Sequence, residues 1–171
     1  MKPRRQTAGN FDFQDIVEKG AVLSDKTALM YKMVTENEFV FLSRPRRFGK
    51  SLLCSMLKHY FLGHKELFAN FKIAELETVW QEYPVFTFSM SSYKNGNADE
   101  IKTALKGDLE KKEKEFGIPP VETTVGQQFK GLIEQAFAQT GKKAVVIIDE
   151  YDAPLLDTDR TPEDEKATRR V

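Results

Sequence analysis

Three consecutive residues, Gly49, Lys50 and Ser51, are of the types that bind phosphate and a divalent cation. They end the stretch SRPRRFGKS and match the second half of the P-loop pattern, Gly, four residues, then Gly-Lys-Ser or Gly-Lys-Thr. In such a loop the backbone N–H groups form an anion-binding nest, to which the following helix adds its positive end. We predict that Gly49 lets the backbone approach phosphates, Lys50 reaches the β- and γ-phosphate oxygens, and Ser51 ligates Mg²⁺.

The rest of this loop is basic and departs from the P-loop pattern. Arg44 stands where the pattern has its first glycine, so the geometry of the nest cannot be assumed. We count Arg46, Arg47, Phe48 and Leu52 with the nucleotide-binding residues. The two arginines could neutralise a triphosphate or touch a nucleic-acid backbone. Solvated loop arginines are an equal alternative, because short basic runs are common.

A second group of candidate residues, Asp149 and Glu150, follows the apolar run AVVII at 144–148. A buried parallel strand places its carboxyl end at the sheet edge where ligands bind. There Asp149 would hold Mg²⁺, and Glu150 would be the general base that orients the attacking water. The alternative is that the two acids simply begin a turn. Their occurrence after a Gly-Lys-Ser loop, in this order, favours a nucleotide site.

Nearby residues have simpler explanations. Asp152 could support the magnesium shell, but a cap on the turn that follows it is favoured. Tyr151 could stack on a ligand, but packing against the core is favoured, and Cys54 is expected to be a small buried hydrophobe. His59 and His64 are expected at the surface or at a helix end, and they form no metal-ligand pattern.

The apolar pattern predicts strands that alternate with helices. Strands are expected at about 39–43, 84–90 and 144–148, the last buried on both faces as in a parallel sheet. Ser24 is expected to cap a helix over DKTALMYKMV, and Gly63 to end the helix that follows the phosphate loop. Further helices are predicted over 98–116, with the run KKEKE facing solvent, and over VGQQFKGLIEQAFAQTG. The apolar side of the last helix would be Phe129, Leu132, Ile133 and Phe137.

Composition sets the class of protein. The 171 residues are 40% hydrophobic and 30% charged, with a net charge of +0, as in soluble globular proteins. A single cysteine excludes an intramolecular disulfide, and no apolar stretch reaches membrane-spanning length, so a cytoplasmic protein without membrane contact is expected. We predict a flexible tail at 1–10, a partial P-loop ATPase-like domain at 11–156, and a polar segment at 157–171 that is disordered or a truncation end.

The segments FLSRPRRFGKSLLCSML and VVIIDEYDAPL resemble an AAA-ATPase-like family of bacterial and archaeal proteins that share an RPRRFGKS loop. SDKTALMYKMV and HYFLGHKELFANFKIAE are similar to that family too. The resemblance implies an AAA/ASCE-like P-loop NTPase fold, a three-layer α/β/α sandwich with a parallel sheet. It also implies ATP and Mg²⁺ as cofactors, with nucleotide-handling roles for Lys50, Ser51, Asp149 and Glu150, and makes Arg44 a family trait. For Asp25 and Lys26, a helix cap is a better explanation than a role near the nucleotide.

The same resemblance implies that the sheet is incomplete at the C-terminus. In ATPases with an Asp-Glu acidic motif, a strand that follows this motif in sequence normally lies between it and the phosphate-loop strand. Residues 152–171 contain no strand-like apolar run. We therefore expect a fragment of a longer ATPase that hydrolyses ATP weakly or not at all by itself. Family members often carry a C-terminal PD-(D/E)XK nuclease-like domain, through which the parent could contact nucleic acid, and a homo-oligomer is possible.

Other functions stay open at this point. A nucleotide-dependent regulatory switch would use the same phosphate site with negligible turnover. A nucleic-acid-binding module would use Arg44, Arg46, Arg47 and the KPRR tail, which the neutral chain does not favour. A small-molecule kinase also uses a P-loop, but the Asp-Glu pair favours water as the acceptor. The leading hypothesis is an ATP- and Mg²⁺-binding module whose parent is an ATP hydrolase.

Overall fold

The computed structural model describes residues 12–43, 48–93, 97–119 and 124–153. The chain divides into two compact units, Met1–Glu82 and Tyr83–Val171, hereafter the first and second units. The helices are α1 (Phe13–Glu18), α2 (Thr27–Glu36), α3 (Lys50–Phe61), α4 (Ile73–Leu76), α5 (Ala98–Glu115) and α6 (Val125–Thr140). The strands are β1 (Val85–Ser89) and β2 (Val145–Asp149), and short 3₁₀ helices span Lys65–Phe68 and Met90–Tyr93.

The first unit is built around helix α3. Phe13 and Phe68 are fully buried, with ring centroids 4.8 Å apart, and α3 contributes Met56 and Tyr60 to the same cluster. The helix predicted after the phosphate loop is therefore confirmed, with Leu52, Leu53 and Leu57 packed at the margin of this cluster. The buried members of this core are Phe13, Met30, Met56, Tyr60, Leu67, Phe68, Ile73 and Trp80.

Gly63 ends the α3 region as predicted. Its φ of 73° is left-handed, a conformation that glycine adopts without steric cost. A Cβ there would lie 2.7 Å from Cγ of Glu82 and 3.3 Å from the carbonyl oxygen of Trp80. The turn after α3 therefore requires glycine for both its backbone angle and its space.

The Ser24 cap predicted for α2 is wrong, because Asp25, for which a helix cap was also expected, supplies the oxygen. The Asp25 carboxylate accepts hydrogen bonds from the Thr27 N–H at 2.9 Å, the Thr27 hydroxyl at 2.7 Å and the Lys72 N–H at 2.8 Å. Burial alone would raise the pKa of Asp25, but these hydrogen bonds outweigh it, and the pKa lies below its ordinary value. Asp25 thus ties the start of α2 to the segment before α4.

The strand predicted at 39–43 is also wrong. These residues belong to no helix or strand, and the described sheet contains only β1 and β2. The exposed fractions of Phe39, Val40 and Phe41 are 91%, 48% and 73%. An apolar run becomes a buried strand only when neighbouring strands pair with it. Sequence alone does not supply that pairing.

In the second unit, β1 and β2 pair in parallel, as predicted. Val85 is opposite Val145, and Ser89 is opposite Asp149. Burial along β2 is uneven, because Ile147 is buried whereas Ile148 is 48% exposed. The expectation of burial along the whole strand is therefore wrong, since β2 has only β1 beside it in the described sheet. The core of this unit is Phe86, Phe88, Leu109, Ile118, Leu132 and Ala136, so α5 and α6 pack against the sheet. The three-layer sandwich stays a prediction.

Helices α5 and α6 begin with capping boxes. Asn97 pairs reciprocally with Glu100, and Thr124 with Gln127, and this satisfies backbone N–H groups at each helix start. Gly141, with a φ of 67°, ends α6 as predicted.

Two details of α5 and α6 correct the predicted pattern. Glu113, within the KKEKE run, is 3% exposed and accepts a hydrogen bond of 2.9 Å from the amide of Gln128, which is also buried. Phe137, assigned to the apolar side of α6, is 53% exposed. The side of α6 that is buried carries Gln128, Leu132 and Ala136, which lie one helical turn apart.

Candidate phosphate-binding and acidic sites

The N-terminus of α3 is where the sequence predicts the phosphate site. Gly49 directly precedes the helix with a left-handed φ of 75°, and no described atom lies within 4 Å of a Cβ built on it. The glycine is therefore required by its backbone angle and not by crowding. Gly49 has no side chain to cap the helix, and the first turn, KSLL, contains no acidic residue. The N–H groups of this turn are thus not capped by the residue that precedes it.

Some of the predicted phosphate-site residues lie within the residues that the structure describes, and others lie outside them. Lys50, Ser51 and Leu52 occupy the first turn of α3 and are half-buried, whereas Phe48 is 63% exposed. The structure thus brings the Gly-Lys-Ser segment together at one helix end. Arg44, Arg46 and Arg47 lie outside the described residues, so their roles stay predictions.

Asp149 and Glu150 lie at the carboxyl end of β2, in the second unit. Asp149 is the last residue of the strand and not the first one after it. Glu150 has a left-handed φ of 52°, and its N–H donates to Oδ1 of Asp149 at 2.9 Å. The Ala153 N–H donates to the Glu150 carbonyl oxygen at 2.8 Å and closes the turn. A non-glycine residue in this conformation is costly, and such residues cluster at functional sites.

The parallel register places Ser89 opposite Asp149, a juxtaposition that the sequence pattern did not predict. In-register residues of adjacent strands project from the same face of a sheet. The Ser89 hydroxyl is exposed and lies 2.7 Å from the hydroxyl of Ser91. The sequence does contain a signal for this juxtaposition. Polar residues follow the apolar run at 84–90, and the carboxyl ends of parallel strands meet at one edge of a sheet.

A shallow polar depression beside β1 is explained by ion pairing within the second unit. Asp108 accepts hydrogen bonds from the Tyr93 hydroxyl and, at 2.9 Å, from Lys111. Burial, followed by the hydrogen bond to Asp108, raises the pKa of Tyr93 above its ordinary value. These charges satisfy one another, so the depression needs no ligand to account for it.

The outcomes for the remaining candidates differ. His59 is 4% exposed and lies in the last turn of α3, so the helix-end position is confirmed and the surface position is wrong. Cys54 is half-buried where full burial was expected. Tyr151 is 39% exposed, which does not fit the expected packing role. Asp152 lies in the turn after Glu150, but Pro154 falls outside the described residues, so the predicted cap stays a prediction.

The described ranges contain neither a metal-ligand cluster nor a membrane-spanning helix. No three His, Cys, Asp or Glu side chains within 12–43, 48–93, 97–119 and 124–153 are grouped so that they could hold a metal ion. Across those same ranges, no helix combines the length and the apolarity needed to span a bilayer.

The parallel strand pair packed against α5 and α6, and the helices of the first unit, define a mixed α/β protein. The model of the family described as Predicted AAA-ATPase matches residues 7–171, and the chain therefore belongs to this AAA-ATPase-like family. The chain is also 33% identical over 139 residues to an uncharacterized protein in the vnfD 5′ region of Azotobacter chroococcum mcd 1. That alignment covers 81% of the chain but only 27% of the relative, so the chain spans about a quarter of its length. No solved structure matches the chain significantly.

Proposed function

We propose that this chain is the ATP- and Mg²⁺-binding part of a longer P-loop ATPase, in which water attacks the γ-phosphate. The observation that carries the proposal is the left-handed Gly49 directly ahead of Lys50 and Ser51 at the start of α3. Membership of the AAA-ATPase-like family supports the same function. Both point to phosphate as the group that is recognised.

The phosphate-binding role rests on the charge and donors at the start of α3. Backbone N–H groups at a helix start attract anions, and the twelve-residue length of α3 gives it a substantial dipole. We assign Lys50 to the β- and γ-phosphate oxygens, and the backbone of Phe48, Gly49 and Leu52 to the nest. Arg46 and Arg47 are proposed as further cationic contacts.

The magnesium and hydrolysis roles rest on oxygen chemistry. Mg²⁺ prefers hard oxygen ligands and is usually held by one or two protein oxygens together with substrate phosphates. The Ser51 hydroxyl and the Asp149 carboxylate are oxygen ligands of this kind, and each is proposed as a ligand of the ion. Bound Mg²⁺ would neutralise phosphate charge. The Glu150 carboxylate would orient the attacking water and accept its proton, and the left-handed backbone of Glu150 supports a functional constraint there.

Calorimetric titration with Mg·ATPγS tests nucleotide binding. We expect wild type to bind and Lys50→Ala to lose at least about tenfold in affinity, equivalent to one charge-assisted contact of about 1.4 kcal/mol. Lys32→Ala is the matched control, because Lys32 is an exposed lysine of α2, with its side chain 69% accessible, in the same unit. Equal binding by Lys50→Ala and wild type, or no binding by a folded wild type, would contradict the proposal.

Hydrolysis needs a separate test in the longer parent protein. Glu150→Gln should keep nucleotide affinity and lose phosphate release, because the amide cannot accept the proton of water. Steady phosphate release by purified Glu150→Gln would remove Glu150 from the role of base. Nucleic-acid contact through a nuclease-like domain and a homo-oligomer remain proposals for that parent.

A further inference from the structure

The two histidines of the chain form a partly buried pair that the proposed nucleotide chemistry does not use. His59 lies near the end of α3, and His64 follows Gly63 in the turn after it. Their Nδ1 atoms are 2.8 Å apart, and their ring centroids are 5.1 Å apart. The His64 N–H also donates to the His59 carbonyl oxygen at 3.1 Å. One side-chain contact and one backbone hydrogen bond therefore hold the segment after Gly63 against the last turn of α3.

The short distance between the two Nδ1 atoms limits the protons that the pair can hold. One Nδ1 must carry a proton and the other must offer its lone pair. The N–H···N bond can form as long as one of the two Nδ1 atoms carries no proton. When both rings are protonated, two N–H groups face each other at 2.8 Å and no acceptor remains.

The surroundings of His59 make its own protonation unfavourable. Its ring is 4% exposed, it packs near Phe13, and its Nε2 has no hydrogen-bond partner among the described atoms. Burial, then His64, then Lys58 lower the pKa of His59 below its ordinary value of 6.5. Two acidic groups oppose this shift without reversing it, Asp12 just before α1 and Glu66 in the 3₁₀ helix.

We propose that the His59–His64 hydrogen bond is a pH-sensitive contact of the first unit. It stabilises this unit at neutral pH and is broken when both rings are protonated. The unfolded chain takes up the His59 proton near pH 6.5, whereas the folded chain does so only at lower pH. As the pH falls through this window, the unfolded state binds more protons and stability is lost. This inference does not depend on nucleotide binding.

Urea unfolding of the full chain at a series of pH values tests the proposal. Trp80 is the single tryptophan of the chain. Its ring centroid lies 5.8 Å from that of Tyr60 and 5.3 Å from that of Phe68, so its fluorescence reports on the folding of this unit. Below about pH 6.5 we expect the unfolding constant of wild type, relative to that of His59→Phe, to rise by up to about tenfold per pH unit. The variant keeps a buried ring but cannot titrate.

Phe71→Leu serves as the control variant, because it weakens a ring contact with Phe13 at 5.5 Å and leaves both histidines in place. Its pH profile should run parallel to that of wild type. Identical pH profiles for wild type and His59→Phe would overturn the proposal. If His59→Phe does not fold, side-chain ¹⁵N NMR of wild type decides: a His59 ring that stays neutral below pH 6.5 supports the proposal, and one that titrates at or above 6.5 overturns it.

Discussion

Replacement of Glu150 by glycine is expected to make the protein more stable. Glu150 has a φ of 52°, and a left-handed conformation costs a non-glycine residue about 1–2 kcal/mol. Glycine avoids this cost but loses about 0.5–1 kcal/mol more conformational entropy on folding. The difference leaves a net stabilisation of about 0.5–1 kcal/mol. In a chain of 171 residues this would raise Tm by about 1–4 °C.

The comparison must separate backbone strain from charge, because Glu150 adjoins Asp149. Glu150→Gln removes the charge and keeps the side chain, so the stability of Glu150→Gly should be measured relative to Glu150→Gln. Asp152→Gly is the matched control, since the backbone φ of Asp152 is not left-handed and glycine there should destabilise by about 0.5–1 kcal/mol. Chemical and thermal unfolding followed by circular dichroism provide the measurement.

A Glu150→Gly protein that is less stable than Glu150→Gln would refute the strain argument. It would mean that the native conformation of Glu150 is not costly, or that its side chain makes stabilising contacts that outweigh the strain. If Glu150→Gly is more stable but has lost hydrolysis in the longer parent, then the native glutamate lowers the stability of the protein at a position that its activity requires.

Two further predictions concern the cores and their anchors. Asp25→Ala should destabilise the chain by about 1–2 kcal/mol at neutral pH, because the carboxylate caps Thr27 and holds the Lys72 N–H. Its lowered pKa means that this contribution is present above the ordinary value of 3.8 and lost in acid, so urea unfolding should show the two proteins converging below that pH. Leu132→Ala should cost about 2–5 kcal/mol by the same measurement, since Leu132 is fully buried against the sheet, and a loss under about 1 kcal/mol would contradict the assigned core.

Local signals in the sequence predicted much of the fold. Gly63 and Gly141 mark helix ends because their left-handed backbone is a property of the residue itself. The strands at 85–89 and 145–149 were predicted to within a residue, because compact runs of β-branched and aromatic residues indicate strands.

The errors in prediction arise where pairing between distant segments decides the outcome. The run at 39–43 has the composition of a strand, but strand formation depends on a neighbour that no local pattern specifies. The same holds for Glu113 and His59, whose burial is made tolerable by Gln128 and His64. The placement of Ser89 opposite Asp149 required the register of the sheet.

The parallel pairing of β1 with β2 has a consequence for folding during synthesis. Val85 finds its partner in Val145, sixty residues later, so the ladder must wait for both helices between them. Closure of so long a loop costs entropy that only later contacts recover, and non-local pairing of this kind is slow. On the ribosome the first unit can therefore collapse around Phe13 and Phe68 while the second still lacks its partner strand. Until β2 emerges, the apolar residues of β1 depend on α5 and α6 for cover, and this interval is when the nascent chain is most prone to aggregation.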